Sequence, residues 1–313
     1  MILHDQQVSI PTHWLAFELS VLRRLRFRSV ALPFVGEPDL ALYLKRWSAR
    51  VAANDPARWA SVKSSALVEN NTERLSEEDV EKVLMDAYVP RYKLSNATLR
   101  KWFNETDAWW FDNVRLNVEK LETPCARALA LTIAMMVGDY VLSFDDETRE
   151  LRQPLSQVFR RLWQRLPPPI NNSERNTSTN RDAREFVAGQ HTELLFLRLP
   201  PHRTQRQAQR NGFAAWREEW LHGGDGFWDE NRKASAGRLG AGGVVTKQQY
   251  LRLVEDLLQT AAHIPAWAIA HVEDGFISTN ELLESVGHVR KVDTVYTKDF
   301  SDLTGARATI ITA

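Results

Sequence analysis

The stretch from Ser29 to Ala53 constrains the fold more than any other part of the chain. Ser29-Val30-Ala31-Leu32-Pro33-Phe34-Val35 is β-rich and stops at Gly36. Helix signals run from Leu40 to Trp47, and Arg50-Val51-Ala52-Ala53 is a short strand that ends in Asn54-Asp55-Pro56. Strand, helix and strand at this spacing make a βαβ unit, which implies a parallel sheet.

Outside this unit the pattern alternates between helical and β-rich blocks. Thr12 to Arg26 reads as a helix, with Leu15, Leu19 and Leu22 on one face. Ser76 with Asp79 resembles a capping box, and Pro90 is expected to stop the helix it opens. Thr123-Pro124 gives a cap followed by a proline at the first helical position, and Pro154 opens another helix. The polar, proline-rich segment 167–182 reads as a mobile loop, and the sheet returns at Leu194 to Leu199. The last third reads as helix (Lys247–His263), strand (Ala266–His271), helix (Thr279–Val286), strand (Val289–Thr297) and a final strand (Arg307–Ile311). These blocks divide the chain into an α/β domain, 1–74 and 186–313, and a helical insertion, 75–185.

Composition narrows the functional classes. The 313 residues can bury a sizeable core, in one large domain or two. With 40 basic and 40 acidic residues the net charge is zero, so any nucleic-acid surface must be a local patch. The single cysteine, Cys125, excludes a disulfide framework within the chain and a multi-cysteine metal site. No metal-ligand spacing stands out among the histidines. No signal peptide is visible, and the most apolar interval, Ala128 to Val137, is far short of the ~20 residues of a membrane span. The expectation is a cytoplasmic protein with no membrane partner.

Three stretches, in order, resemble the Dam-like family of adenine-specific DNA methyltransferases, which use S-adenosylmethionine. Pro33-Phe34-Val35-Gly36 is similar to the family's cofactor turn, Pro-Phe-x-Gly-x-Gly. Val51-Ala52-Ala53-Asn54-Asp55 resembles the strand whose closing acid holds the cofactor ribose. Leu199-Pro200-Pro201-His202, after a strand, stands where the family has Asp-Pro-Pro-Tyr. The resemblance covers about Thr12 to Thr297. It implies a Rossmann-like methyltransferase sheet, with the helical insertion at the place of the family's DNA-recognition region.

The departures decide what the resemblance can mean. In the family, the Asp and a backbone carbonyl of the Pro-Pro pair accept hydrogen bonds from the adenine amine and favour its pyramidal transition state. Leu199 accepts nothing, and the loss of one such acceptor costs on the order of 10²–10³ in rate. Glu193 is six residues back, roughly 20 Å along an extended strand, and Arg198 carries the wrong charge. The cofactor turn reads Gly36-Glu37-Pro38, in which proline replaces a glycine and Glu37 and Asp39 add negative charge.

The resemblance therefore leaves Pro33, Phe34, Gly36 and Asp55 as remnants of a cofactor site, with no catalytic residue in the turn 199–202. No bound cofactor is expected, S-adenosylmethionine being the one the remnant would take. Arg198, Arg203, Arg206 and Arg210, with His202, form a basic run that is either a solvated face or a phosphate-contacting strip. Arg160, Arg161 and Arg165 form a second such patch. The adjacent pair Trp109-Trp110 is expected to leave one ring exposed or at an interface. Trp216, Trp220 and Trp228, in the Gly- and Trp-rich segment 212–243, have no counterpart in the family and read as a surface insertion.

Three readings follow: a non-catalytic homologue that binds double-stranded DNA or a protein partner, an atypical or partner-completed methyltransferase, and a structural assembly protein.

Overall fold

The computed structural model describes residues 14–145, 147–200, 212–229, 238–239, 246–273, 276–301 and 307–313. The βαβ unit forms as its pattern requires. Strand β1 (Ser29–Leu32) leads through α2 (Asp39–Arg46) to β2 (Arg50–Asn54), and the two strands pair in parallel. Before them lies α1 (Trp14–Leu22), which ends four residues before the expected Arg26. Helix α3 (Arg58–Ser64) follows β2 and runs on into a π-helical turn, Ser65–Glu69.

The sheet has seven strands in the order β3-β2-β1-β4-β5-β7-β6. The remaining strands are β3 (Thr177–Thr179), β4 (Leu194–Arg198), β5 (Ala266–Glu273), β6 (Thr294–Asp299) and β7 (Arg307–Thr312). The run from β3 to β5 is parallel, whereas β7 lies antiparallel to both β5 and β6. This is a Rossmann-like α/β architecture. Strand order reverses between β1 and β4, and the crevice beyond the carboxyl ends of those strands is where such sheets take their ligands.

Period-two alternation explains why the sheet is covered on both faces. Val30, Leu32, Leu194 and Phe196 point into one core with Trp14 and Leu44. Ala31, Leu195 and Leu197 point into the other. The second layer is built from α8 (Ala183–Ala188), a helix Lys247–Thr260 and a helix Thr279–Gly287. In the last third, strand β6 begins at Thr294, five residues later than the pattern suggests. Arg290 lies in the intervening turn, where it donates to the carbonyls of Ala262, Ile264 and Pro265.

A third core belongs to the helical insertion. Its helices are α4 (Glu77–Leu84), α5 (Glu105–Val118), α6 (Pro124–Leu142) and α7 (Leu155–Arg165). The Ser76/Asp79 capping box, the Thr123 cap with Pro124 and the start after Pro154 are all present. Helix α4 ends at Leu84, well before Pro90. Helix α6 has the length and hydropathy of a membrane span, longer than its most apolar interval suggests, but most of it is buried in this core.

Three expectations are corrected here. Trp109 and Trp110 are both buried, because α5 is surrounded over its middle turns and has no solvent face there. Trp110 donates to Ser156 Oγ at 3.0 Å and Trp109 to Glu105 Oε1 at 3.1 Å. The segment 167–182 is an anchored sheet edge containing β3. Asn176 Oδ1 accepts the Val51 N–H at 2.9 Å, and Asn172 donates to the Ala49 carbonyl at 2.9 Å. Finally, the helical core is not confined to 75–185. Helix α9 (Gly212–His222), which follows β4 in the chain, inserts Trp216 and Trp220, both fully buried, against Phe103 and Phe111. These tryptophans are core residues, and not a surface insertion.

Candidate functional site

At the carboxyl end of β1 the chain turns at Gly36, whose φ of +55° is left-handed and favours glycine. The neighbouring strand ends in Asn54 and Asp55, and both residues are spent on closing this corner. Buried Asn54 donates to the carbonyls of Pro33 at 3.1 Å and Arg181 at 3.0 Å. Its Oδ1 accepts from Thr179 Oγ1 at 2.7 Å and from the Arg181 N–H at 3.0 Å. Asp55 Oδ2 accepts the Gly36 N–H at 2.9 Å, and Oδ1 accepts the Ala57 N–H at 2.8 Å. Only 8% of Asp55 is exposed, so neither oxygen is presented to a ligand.

Burial pushes the Asp55 carboxyl up to about 7. The two N–H groups oppose that shift, and the nearby Glu218 carboxylate adds to it. Glu218 comes from α9, and its Oε1 accepts the Trp59 N–H at 2.7 Å. Asp55 and Glu218 thus share the amino-terminal end of α3, whose own cap residue, Ala57, has no side-chain acceptor.

Glu37 adds less free negative charge than the sequence implies. It is half-exposed and accepts from Lys63 Nζ at 2.8 Å and from Arg217 at 3.1 Å. Burial alone would raise its pKa, but Lys63 and Arg217 outweigh it and hold the carboxyl below its ordinary value. Arg217 also reaches Asp139 on α6, with Nε 3.2 Å from Oδ1. Its guanidinium lies 4.8 Å from the centre of the Trp59 ring, and Lys63 Nζ lies 5.3 Å from it. Helix α9 therefore fastens the mouth of the crevice from the helical side.

Its close approach depends on Gly138 of α6, where an added Cβ would fall 2.2 Å from the Trp216 ring.

On the β4 side, the Leu199 N–H donates to the Ala270 carbonyl at 2.9 Å, and its side chain packs on the second sheet core. The Pro200 carbonyl accepts the Tyr250 hydroxyl at 2.7 Å. Arg198 forms a two-pronged pair with fully buried Glu18, at 2.9 and 2.7 Å, which removes it from the basic run. Arg161, in the second patch, donates to Gln153 and lies over Tyr140. Pro201, His202, Arg203, Arg206 and Arg210 lie outside the described residues.

The structure thus brings Pro33, Gly36 and Asp55 together at one corner, while Phe34 packs on the core beneath. The sequence reading missed Arg217, Glu218 and Tyr250, which reach this end of the sheet from far along the chain. No group of histidine, cysteine or acidic residues suited to a metal is found among the described residues. In comparisons with protein-family models and with curated proteins, nothing matches this chain.

Proposed function

We propose that the chain is a non-catalytic homologue of the DNA adenine methyltransferases, working as a cytoplasmic protein that binds double-stranded DNA. One observation carries the reading: the acceptors that methyl transfer and cofactor binding would use are absent or already engaged. Leu199 stands for the acid, the Pro200 carbonyl holds Tyr250, and both oxygens of Asp55 hold backbone N–H groups. The sheet order, with its single reversed strand β7, supports the methyltransferase frame. In this reading S-adenosylmethionine is not bound, and Arg203, Arg206 and Arg210 face the DNA backbone.

Two measurements on the same sample test it. Duplex DNA should shift on a gel with salt-sensitive affinity. Millimolar S-adenosylmethionine should leave the melting temperature unchanged, because a ligand of the folded state must raise it. A raised melting temperature overturns the non-catalytic reading, and no shift at low salt overturns the DNA part.

A protein partner is the second reading, and one observation favours it. Met85, Val89 and Tyr92, after α4, are 56%, 52% and 101% exposed. If this turn carries self-association, Tyr92→Ser lowers the mass measured by light scattering; an unchanged monomer argues against assembly through it.

A further inference from the structure

A cavity of 270 Å³ opens between the end of α2, the π-helical turn 65–69 and the end of α7. None of the crevice residues described above lines it. Its walls are mostly apolar: Leu67, Leu75, Leu129, Trp163 and Ile170, with the three prolines 167–169. An apolar cavity of ~150 Å³ accommodates benzene, so this one has room for about ten non-hydrogen atoms.

Its polar groups are unevenly committed. The Asn70 side chain is satisfied within its own turn by the Glu73 carbonyl and by the N–H groups of Thr72 and Glu73. The Glu73 carboxylate is engaged by Thr123. Arg46 and Arg74 line the cavity and are exposed, and among the described residues neither has a carboxylate within ion-pair distance. Behind Asn70 lies a third cation, the fully buried Lys45, whose Nζ donates to the Asn70 carbonyl at 2.6 Å. The Arg46 guanidinium lies 5.2 Å from the centre of the Tyr43 ring, a contact that leaves its N–H groups open to an anion. An apolar pocket bordered by two guanidinium groups without carboxylate partners suits a ligand with an apolar body and an anionic head.

We propose that this cavity binds a small organic acid, its apolar body against Trp163 and its carboxylate between Arg46 and Arg74. Trp163 already donates its Nε1–H to the Leu75 carbonyl at 3.1 Å, so its ring is fixed as a wall.

The test is calorimetric titration of the full chain with 2-naphthoate and with decanoate, which separate a ring from a chain as the preferred body. 2-Naphthylmethanol serves as the neutral control. Saturable binding is expected for at least one acid, about tenfold tighter than the alcohol, a margin set by one charge-assisted hydrogen bond. Arg46→Ala and Arg74→Ala should each weaken the acid and leave the alcohol unchanged. Because both arginines are exposed, circular dichroism should show an unaltered fold. The indole N–H resonance of Trp163, assigned by its loss in Trp163→Phe, should move on titration. Three results would overturn the proposal: an alcohol that binds as tightly as the acid, an acid indifferent to removal of both arginines, or no saturable binding with the Trp163 signal unmoved.

Discussion

Asp55 should make the stability of this protein fall as pH rises from acid to neutral, the reverse of what an ion-paired aspartate does. Burial is the largest cause of its shift; the N–H groups of Gly36 and Ala57 oppose it, and Glu218 adds to it. The outcome is about 7 against an ordinary 3.8. Between those values the folded chain holds a proton that the unfolded chain has released. Stability therefore declines with pH across that window, and the loss is complete above the folded value. The gap corresponds to roughly 4 kcal/mol.

Asp55→Asn removes the titration. The amide keeps one acceptor and turns its NH₂ toward the other N–H, a pH-independent cost of about 1–3 kcal/mol. Urea unfolding of both proteins, from about pH 4 to about pH 8, measures the difference between them. Relative to the wild type, the variant should gain about 4 kcal/mol over that range. A difference that stays constant with pH would refute the reasoning, since Asp55 would then be ionised throughout and its two N–H partners would outweigh burial.

Three further substitutions probe the frame around the site. Arg198→Met leaves the buried Glu18 carboxylate without its partner and should cost about 3–5 kcal/mol in chemical denaturation. Adding Glu18→Gln should recover a large part of that. Gly138→Ala drives a methyl group into the Trp216 ring, with an expected loss of about 1–3 kcal/mol and a changed near-ultraviolet dichroism of the buried tryptophans. Asn176→Ala strips the acceptor from the buried Val51 N–H, which should cost about 1–3 kcal/mol and speed exchange of that amide.

Local patterns carried most of the fold. The βαβ unit, the Thr123-Pro124 start and the Ser76 cap depend on neighbours in sequence, and all three are legible in the sequence alone. Strand β3 is not. Asparagines 172 and 176 look like loop composition, and their hydrogen bonds to the distant backbone of Ala49 and Val51 cannot be read from spacing. The same limit governs the site. The position of Asp55 at the end of β2 was legible, but the direction of its oxygens was not. They serve the backbone at Gly36 and Ala57, the ordinary use of an aspartate before a proline. Leu199 could be read directly, because a missing acceptor is visible in a single letter. The capture of the Pro200 carbonyl by Tyr250, fifty residues later, could not.

The two tryptophans of α9 carry a consequence for how the protein comes into being. Residues 75–185 look like a cassette that could be excised or transplanted, yet their core lacks its central rings until the chain has continued past β4 to Trp216 and Trp220. During synthesis the helical unit must wait, with Phe103 and Phe111 lacking their α9 partners, for more than a hundred residues to follow Phe103. A fragment cut at residue 185 should expose those rings and aggregate. Helix α9 completes the helical core and also holds the start of α3 beside the sheet, so engineering one unit means engineering both.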